Sequence, residues 1–276
     1  MHELEALGPY FARWLGSKLW DGEDWYMQVD SHILFAEKWD GVSVEMLKQA
    51  PSDKPVISAY PPPHTADLRG KDGKGHIGSR ICGGFFSETS IESQIVRLDG
   101  SRSYERKIGI PRFAPFMGAG YFIAHSSFLS DVPYDPFMPW IFMGEEISLS
   151  ARLWTAGYDI FSPSLDVSSH IYGRRHKPKF WEVFNQHYKG EANHNGIAFL
   201  VMQRIKNVLG YPESAEGMVF PRTILDFVDL YGMGKERPLA DFWKMVGLDP
   251  ITKGEQKIPN NWCKKGMPPP NHPDYE

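Results

Sequence analysis

Asp30 and His32 are the residues of this sequence whose types and spacing most directly suggest chemistry. They follow the apolar, aromatic run 25–29, which predicts a buried strand, and α/β sheets bind their ligands at the carboxyl ends of strands. Because the two residues lie two positions apart, their side chains share one face if the strand continues. A carboxylate oxygen and an imidazole nitrogen suit Mn²⁺ or a similar divalent ion, which can grip a diphosphate. The alternative is a strand end followed by a turn that carries a surface histidine.

Two acidic residues, Glu145 and Glu146, follow Gly144 at the start of a predicted helix over 145–156. Carboxylates in a first turn stabilise a helix by about 0.3–1 kcal/mol, which is by itself a sufficient reason for both. The same placement also suits catalysis, because a carboxylate beside a cleft can orient an acceptor hydroxyl or take its proton. Glu145 and Glu146 are therefore candidate catalytic residues, and Gly144 is a candidate substrate-binding residue.

The third segment of interest begins at His170, which ends an extended stretch and could complete a metal site with Asp30 and His32. A lone histidine in such a place is more often a packed or surface residue. The cationic run that follows favours a functional role, because guanidinium groups bind phosphate oxygens through paired hydrogen bonds. A solvated basic loop is the alternative. The candidate substrate-binding residues of this segment are Tyr172, Arg174, Arg175 and His176.

Arg80 is a further candidate for contact with a substrate. It precedes Gly83 and Gly84, so that a cation lies next to flexible backbone, which fits either a close approach to a ligand or an ordinary turn. Cys82, which lies between Arg80 and Gly83, is not a candidate nucleophile, because no histidine or asparagine pattern supports that role.

The predicted elements alternate between strands and helices, which favours an α/β domain. Predicted helices cover 9–20, 42–50 and 145–156, and a helical pattern runs through 178–209; predicted strands cover 25–30, 54–60, 81–86, 116–124, 158–161 and 166–170. In the first helix, Phe11, Leu15 and Leu19 form the predicted apolar stripe, and 61–80 should be an exposed loop. We predict a catalytic core over 1–177, a helical C-terminal extension over 178–250, and a Pro/Gly/Lys-rich tail over 251–276.

Composition limits the function classes. Hydrophobic residues make up 42% and charged residues 23% of the 276 residues, as in a folded soluble protein. The net charge of −4 gives no electrostatic case for binding nucleic acid or an anionic membrane. Cys82 and Cys263 are the two cysteines, so we expect no disulfide framework and a reducing compartment. Residues 1–12 lack an apolar core with basic flanks and no apolar run is long enough to span a bilayer, so we expect no secretory leader and a cytoplasmic location.

Several segments together resemble a known family of cytosolic enzymes. These enzymes attach N-acetylglucosamine to hydroxyproline on the adaptor subunit of F-box ubiquitin ligases. The resemblance covers roughly residues 8–245, and it is carried by Gly8–Trp20, Tyr26–His32, Trp39-Asp40, Val132–Pro136, Gly144–Ser148, Arg152–Asp159 and His170-Ile171-Tyr172. The same arrangement is more distantly similar to the polypeptide GalNAc-transferases, which also combine an Asp-x-His motif, a Gly-Glu segment and a later histidine.

The resemblance implies a GT-A-like fold, a UDP-sugar donor, Mn²⁺ or a similar ion, and transfer with retention of the α-anomer. By matching positions it implies that Asp30, His32 and His170 are metal ligands and that Glu145 and Glu146 lie on the acceptor side. Family members carry a strand-and-helix unit for the uracil and ribose before the region that begins at Gly8. Since seven residues precede Gly8 here, we expect that this N-terminal part of the family domain is missing; either the gene product is incomplete or the nucleotide is held differently.

These features together predict a metal-dependent retaining glycosyltransferase that moves GlcNAc from UDP-GlcNAc to a protein hydroxyl. Hydroxyproline and the F-box ligase adaptor enter only through the resemblance, and serine, threonine or a sugar hydroxyl would also fit the residues. A second hypothesis is a truncated, non-catalytic relative that acts as a binding protein. A metal hydrolase built on Asp30, His32 and His170 is the third, and it would need Glu145 or Glu146 to activate water.

Overall fold

The computed structural model describes residues 6–70, 73–88, 95–99, 102–103, 110–173, 180, 192–212 and 221–253, with only the backbone described for 102–103 and 192–196. The helices are α1 (Pro9–Ser17), α2 (Trp39–Gln49), α3 (Phe128–Asp131), α4 (Glu145–Thr155), α5 (Ala192–Val208), α6 (Val228–Tyr231) and α7 (Leu239–Val246), with a 3₁₀ turn at Arg222–Leu225. The strands are β1 (Trp25–Val29), β2 (Ile33–Phe35), β3 (Pro55–Ser58), β4 (Ser79–Arg80), β5 (Gly83–Phe86), β6 (Val96–Asp99), β7 (Arg102–Ser103), β8 (Arg112–Phe113), β9 (Tyr121–His125), β10 (Asp159–Ser162) and β11 (Ser168–His170).

The main sheet has five strands in the order β1-β9-β3-β10-β8. Its one parallel pair, β3 with β10, lies towards the middle, and the other neighbours are antiparallel. Every residue of β10 is buried, as are Val56, Ile57 and Ser58 of β3, which fits their apolar sequences and inner positions. The mixed α/β architecture predicted from the sequence is confirmed.

Helices pack on this sheet and enclose one continuous core. Helix α2 lies against β3, and α4 lies against β10 and α7. Almost every residue of α4 is buried, and Trp154 at its C-terminal end contacts Phe242 of α7, with ring centroids 6.0 Å apart. Helix α7 thus shares the core of the sheet. Within the described part of the chain, we find no helix with the length and apolarity that crossing a bilayer requires.

Two details of the N-terminal region differ from the sequence prediction. Strand β1 is at an edge of the sheet, and Gln28 is its single buried residue, so it is not a buried strand. The predicted apolar stripe is wrong, because Leu15 is 40% exposed and Leu19, which lies beyond the end of α1, is 83% exposed, whereas Tyr10 is fully buried. Helix α1 therefore turns the face of Tyr10 and Arg13 towards the protein, which brings a charged side chain inward.

Cys82 is disulfide-bonded, which differs from the expectation that the cysteines stay reduced. The sequence contains one further cysteine, Cys263, which lies outside the described residues. A cysteine without a second one nearby in the sequence carries no local pattern that predicts a disulfide.

A buried ion pair ties α5 to the segment before α4. Arg204 Nε lies 2.7 Å from Asp135 Oδ2, and the two side chains are 1% and 0% exposed. The second Asp135 oxygen accepts the backbone N–H of Phe137 at 2.9 Å, and Arg204 also donates to the Asp226 carbonyl at 2.9 Å. This pair therefore links α5, the 3₁₀ turn and the core.

Replacing Asp135 with alanine should lower the free energy of unfolding by about 3 kcal/mol, because the Arg204 charge would be left in the interior without its carboxylate. Urea unfolding followed by fluorescence measures this loss. Asp229, which is exposed on α6, is the control, and its alanine variant should change stability by less than about 0.5 kcal/mol. A loss below about 1 kcal/mol for the Asp135 variant would contradict the role of the pair.

Candidate active site

Asp30 and His170 come together although 140 positions separate them in the chain. Asp30 directly follows β1, where its N–H donates to the Gly120 carbonyl at 3.2 Å, and its side chain is 43% exposed. His170 ends β11, which pairs with β2 so that His170 lies opposite Ile33. Asp30 Oδ2 and His170 Nε2 are 3.7 Å apart. The β2–β11 pair therefore delivers the histidine to the end of β1.

His32 lies beside this pair but does not join it in a closed metal-binding group. Its carbonyl accepts the N–H of Ile171 at 3.0 Å, and the His32 and His170 rings have centroids 6.3 Å apart. His32 Nδ1 is 2.7 Å from the Ser31 hydroxyl. Among the described residues, no group of three or more His, Cys, Asp or Glu side chains is arranged to hold a metal ion as the structure stands.

The donor set nevertheless fits a divalent cation. Two ligands that each lie about 2.0–2.2 Å from one ion are separated by roughly 3–4.3 Å, depending on the angle between them. The 3.7 Å between Asp30 Oδ2 and His170 Nε2 falls in this range. His32, which is half-buried, lines the same cavity beside them. One carboxylate oxygen and two imidazole nitrogens form a mixed donor set that can hold a divalent first-row metal ion.

The loop over 61–80 supports His170 from the other side, so it is not simply an exposed loop. His170 N–H donates to the Pro62 carbonyl at 2.8 Å, and the His170 carbonyl accepts the N–H of His64 at 2.9 Å. Farther along, His76 Nδ1 lies 2.7 Å from Asp166 Oδ2, just before β11. These contacts fix the backbone on which His170 is mounted.

The N-terminus of α4 forms the opposite wall of the site. Gly144 has φ +98°, a left-handed conformation that glycine adopts without strain, and it allows a sharp turn into the helix. Glu145 and Glu146 occupy the first turn, where the helix dipole favours negative charge. The two carboxyl groups differ in their burial and in their hydrogen-bond partners.

Glu146 is held by two hydrogen bonds and faces the cavity. Its Oε1 accepts the backbone N–H of Ala119 at 2.8 Å, and its Oε2 accepts the Tyr60 hydroxyl at 2.5 Å. Burial raises the pKa of this carboxyl, while these two hydrogen bonds partly offset that effect. Glu146 is the less buried of the two acids, so it is the better placed to contact an acceptor.

Glu145 is 2% exposed and is paired with Arg13 of α1. The Gln28 side-chain amide is 3.5 Å from Glu145 Oε1, and it also donates to the Ala119 carbonyl at 3.0 Å. Burial raises the pKa of Glu145 to about 7, and the Arg13 guanidinium beside it limits the rise. Glu145 therefore belongs to a buried polar network that supports the cavity wall.

The free energy of unfolding should depend on pH through Glu145. Its pKa is about 7 in the folded protein against 4.5 for an unperturbed glutamate, so the stability it contributes is full below pH 4.5 and is lost as the pH rises through 7. Since each pH unit between the two pKa values is worth about 1.4 kcal/mol, the loss amounts to ~3 kcal/mol over the whole interval. Replacing Glu145 with glutamine should flatten this dependence, measured by urea unfolding between pH 5 and 8. Glu236, an exposed residue that pairs with Lys54, is the control, and its glutamine variant should follow the wild-type curve. Equal pH slopes for Glu145→Gln and the wild type would refute the raised pKa of Glu145.

A cavity of about 650 Å³ joins the two walls, a volume typical of small-molecule sites. Its polar lining includes Asp30, His32, His170, Arg13, Glu145 and Glu146. Exposed aromatic rings of Phe85, Phe142 and Tyr172 form part of the rest. The sequence prediction had placed the acids and histidines in one site, and the structure brings them to one cavity.

Other predicted substrate-binding residues fall in different places. Gly144 and Tyr172 line the cavity, and the Tyr172 hydroxyl donates to the Pro61 carbonyl at 2.7 Å. Arg80 does not line it, because its side chain is fully buried on β4. Arg174, Arg175 and His176 lie outside the described residues, so their proposed contact with phosphate stays a prediction.

Three residues of the site were missed in the sequence. Arg13, Tyr60 and Gln28 contact the two glutamates from elements that are 86 to 132 positions away. One local signal was available for Gln28, a polar residue inside an apolar run. Arg13 and Tyr60 carry no comparable signal, because their role depends on how distant elements pack.

The chain resembles several solved structures, and one of them illustrates the likeness. It is described as "Crystal structure of GalNAc-T7 with UDP, GalNAc and Mn2+", shares 16% sequence identity, and superposes with a TM-score of 0.54 over 87% of this chain and 43% of that chain. At this identity the likeness concerns the fold, and it confirms the GT-A-like architecture that the resemblance implied. The chain spans less than half the length of GalNAc-T7. A search of curated proteins found no match.

Family membership follows from the sequence as a whole. The family described as "Glycosyltransferase (GlcNAc)" matches residues 1–252, which is most of the chain and includes every candidate site residue. The match agrees with a GT-A-like fold whose cavity combines a carboxylate, two histidines and a helix-borne glutamate pair. The chain belongs to the GlcNAc glycosyltransferase family.

Proposed function

We propose that this glycosyltransferase moves GlcNAc from UDP-GlcNAc to a protein hydroxyl in a metal-dependent reaction that retains the α-anomer. The observation that carries the proposal is the 3.7 Å approach of Asp30 Oδ2 to His170 Nε2, opposite a wall that bears Glu146. The residues proposed to hold the cation and the residue proposed to contact the acceptor line one cavity, which supports this proposal.

Asp30, His32 and His170 are the residues that would hold the cation. When bound, the ion supplies positive charge to the departing diphosphate. Asp30 is well suited to hold the cation because its Oδ2 faces His170, while Arg13 contacts its Oδ1 at 3.3 Å. His170 is fixed by backbone hydrogen bonds to Pro62 and His64, so little ordering is needed when a ligand binds.

The transfer step exchanges one bond for another at the anomeric carbon. The bond from this carbon to the β-phosphate oxygen breaks, and a bond to the acceptor oxygen forms on the same face. The proton of the acceptor hydroxyl passes to the β-phosphate oxygen, so no covalent nucleophile is required. Glu146 orients the acceptor hydroxyl, and its own position is set by Tyr60 and Ala119.

The identity of the substrates rests on the family resemblance. GlcNAc is the proposed sugar and hydroxyproline the first acceptor to test, with the adaptor of an F-box ubiquitin ligase as the proposed partner. Arg174, Arg175 and His176 are proposed to contact the diphosphate. A cytoplasmic location also stays a proposal, and the disulfide at Cys82 is unusual for a reducing compartment, so cell fractionation is a direct check.

Calorimetry and a transfer assay test this function together. UDP-GlcNAc should bind more tightly with Mn²⁺ than with EDTA, and a hydroxyproline peptide should accept GlcNAc while the matching proline peptide should not. Transfer to threonine alone would keep the reaction class and change the acceptor. Metal-dependent binding without hydrolysis or transfer would favour the binding-protein alternative, and metal-independent binding and turnover would refute the proposal.

A further inference from the structure

The described wall of the cavity contains three carboxyl groups and two guanidinium groups. Its carboxylates and arginines are Asp30, Glu145, Glu146, Arg13 and Arg97. A divalent cation that entered without a nucleotide would meet this cluster first. How strongly the cluster attracts such an ion depends on which positive charge already lies within it.

Arg13 lies inside the cluster and contacts two of its carboxylates. One guanidinium nitrogen, Nη1, pairs with Glu145, and the other, Nη2, lies 3.3 Å from Asp30 Oδ1. Nη2 also donates to the Ala119 carbonyl at 3.2 Å. The Arg13 side chain is 13% exposed, so solvent and salt screen its charge poorly.

Asp30 divides its two oxygens between Arg13 and His170. Oδ1 faces the guanidinium, and Oδ2 lies 3.7 Å from His170 Nε2. The carboxylate proposed to hold the cation is therefore already compensated by a positive charge on its far side. That compensation weakens its attraction for any second cation.

We infer that Arg13 is a positioning residue that acts through Asp30 and Glu145 as the resident counter-cation of the cavity. It keeps the affinity for a bare divalent cation low, so that the ion binds well only together with a nucleotide diphosphate, which adds negative charge. This inference rests on the proposed function, since it concerns the order in which metal and nucleotide bind.

The test measures Mn²⁺ binding to the purified protein without nucleotide, from the electron paramagnetic resonance signal of free Mn²⁺. The Arg13→Gln variant should bind Mn²⁺ at least about tenfold more tightly than the wild type, because one nearby positive charge is removed. The Arg13→Lys variant keeps the charge and should stay within about threefold of the wild type. The enhancement of Mn²⁺ binding by added UDP should be smaller for Arg13→Gln than for the wild type.

Arg237→Gln is the matched control. Arg237 also pairs with a carboxylate, Asp159 at 2.8 Å, and with backbone carbonyls, but it does not line the cavity. Its Mn²⁺ affinity should stay within about threefold of the wild type although the net charge changes equally. Thermal melting identifies any variant that fails to fold; if Arg13→Gln fails, Arg13→Met, which is also uncharged, carries the test with the same expected increase in Mn²⁺ affinity.

Unchanged or weaker Mn²⁺ binding by Arg13→Gln would overturn the inference, as would equal effects of Gln and Lys. A weaker affinity would mean that Arg13 matters by holding Asp30 in place. Failure of the proposed function looks different, because then the wild type itself would show no metal-dependent binding of UDP-GlcNAc.

Discussion

Replacing Asp30 with alanine should abolish metal-dependent binding of UDP-GlcNAc and lower kcat/KM by about 1000-fold or more. The loss follows because Asp30 supplies the sole carboxylate of the proposed ligand set, and charge stabilisation by a metal is worth several kcal/mol, at about 1.4 kcal/mol for each factor of ten. Calorimetry with UDP in Mn²⁺ and in EDTA, together with the transfer assay, measures both effects.

The Asp30 variant should still fold. The Asp30 side chain is 43% exposed, so its removal leaves no cavity in the core, and Arg13 keeps its contact with Glu145. Asp131, a surface residue near Lys54, is the control, and its alanine variant should keep metal-dependent binding. A normal melting curve with unchanged UDP affinity in Mn²⁺ would show that Asp30 holds no cation.

Replacing Glu146 with glutamine should lower kcat for transfer by about 100-fold while the affinity for UDP-GlcNAc changes by less than about threefold. Glutamine is nearly isosteric and can still accept the Ala119 N–H, so the wall should persist, whereas the negative charge next to the acceptor is lost. Steady-state kinetics with varied acceptor and calorimetry with the donor separate the two effects.

Tyr60→Phe is the matched comparison for Glu146. It removes the hydroxyl that donates to Glu146 Oε2 at 2.5 Å but leaves the carboxylate in place, so we expect a loss of about tenfold in kcat. If Glu146→Gln weakens donor binding as much as transfer, the residue belongs to the donor side and the proposed acceptor role is wrong.

Much of the fold could be predicted because its signals are local. The helix at 145–155 is marked by a glycine, two acids and a repeating apolar pattern, and the structure places α4 at Glu145–Thr155. The segment ending at Asp30 was recognised as a strand from its apolar and aromatic residues. Its edge position could not be predicted, since strand order depends on pairing with β9, about 95 positions away.

The candidate site could be predicted where residues of a metal-binding type lie at the ends of predicted strands. Asp30, His32 and His170 each follow or end an extended segment, and the structure brings them to one cavity. Arg80 shows the limit of this reasoning, because a cation next to glycines suggested ligand contact, whereas packing buries it away from the cavity.

Arg13 shows the opposite error. The sequence predicts its helix, but the apolar pattern indicates Phe11, Leu15 and Leu19 as the face that contacts the protein. The structure instead turns Arg13 inward, where it meets Glu145 across 132 positions of sequence. A residue whose role is to pair with a distant charge carries no local pattern, so only the packing of α1 against α4 reveals it.

Anomalous diffraction from crystals grown with UDP and Mn²⁺ tests the central claim most directly, because it locates the ion without assuming its ligands. We expect one strong manganese peak within coordination distance of Asp30 Oδ2 and His170 Nε2, with the His32 ring turned towards it. A peak elsewhere in the cavity, with neither Asp30 nor His170 among its ligands, would contradict the account.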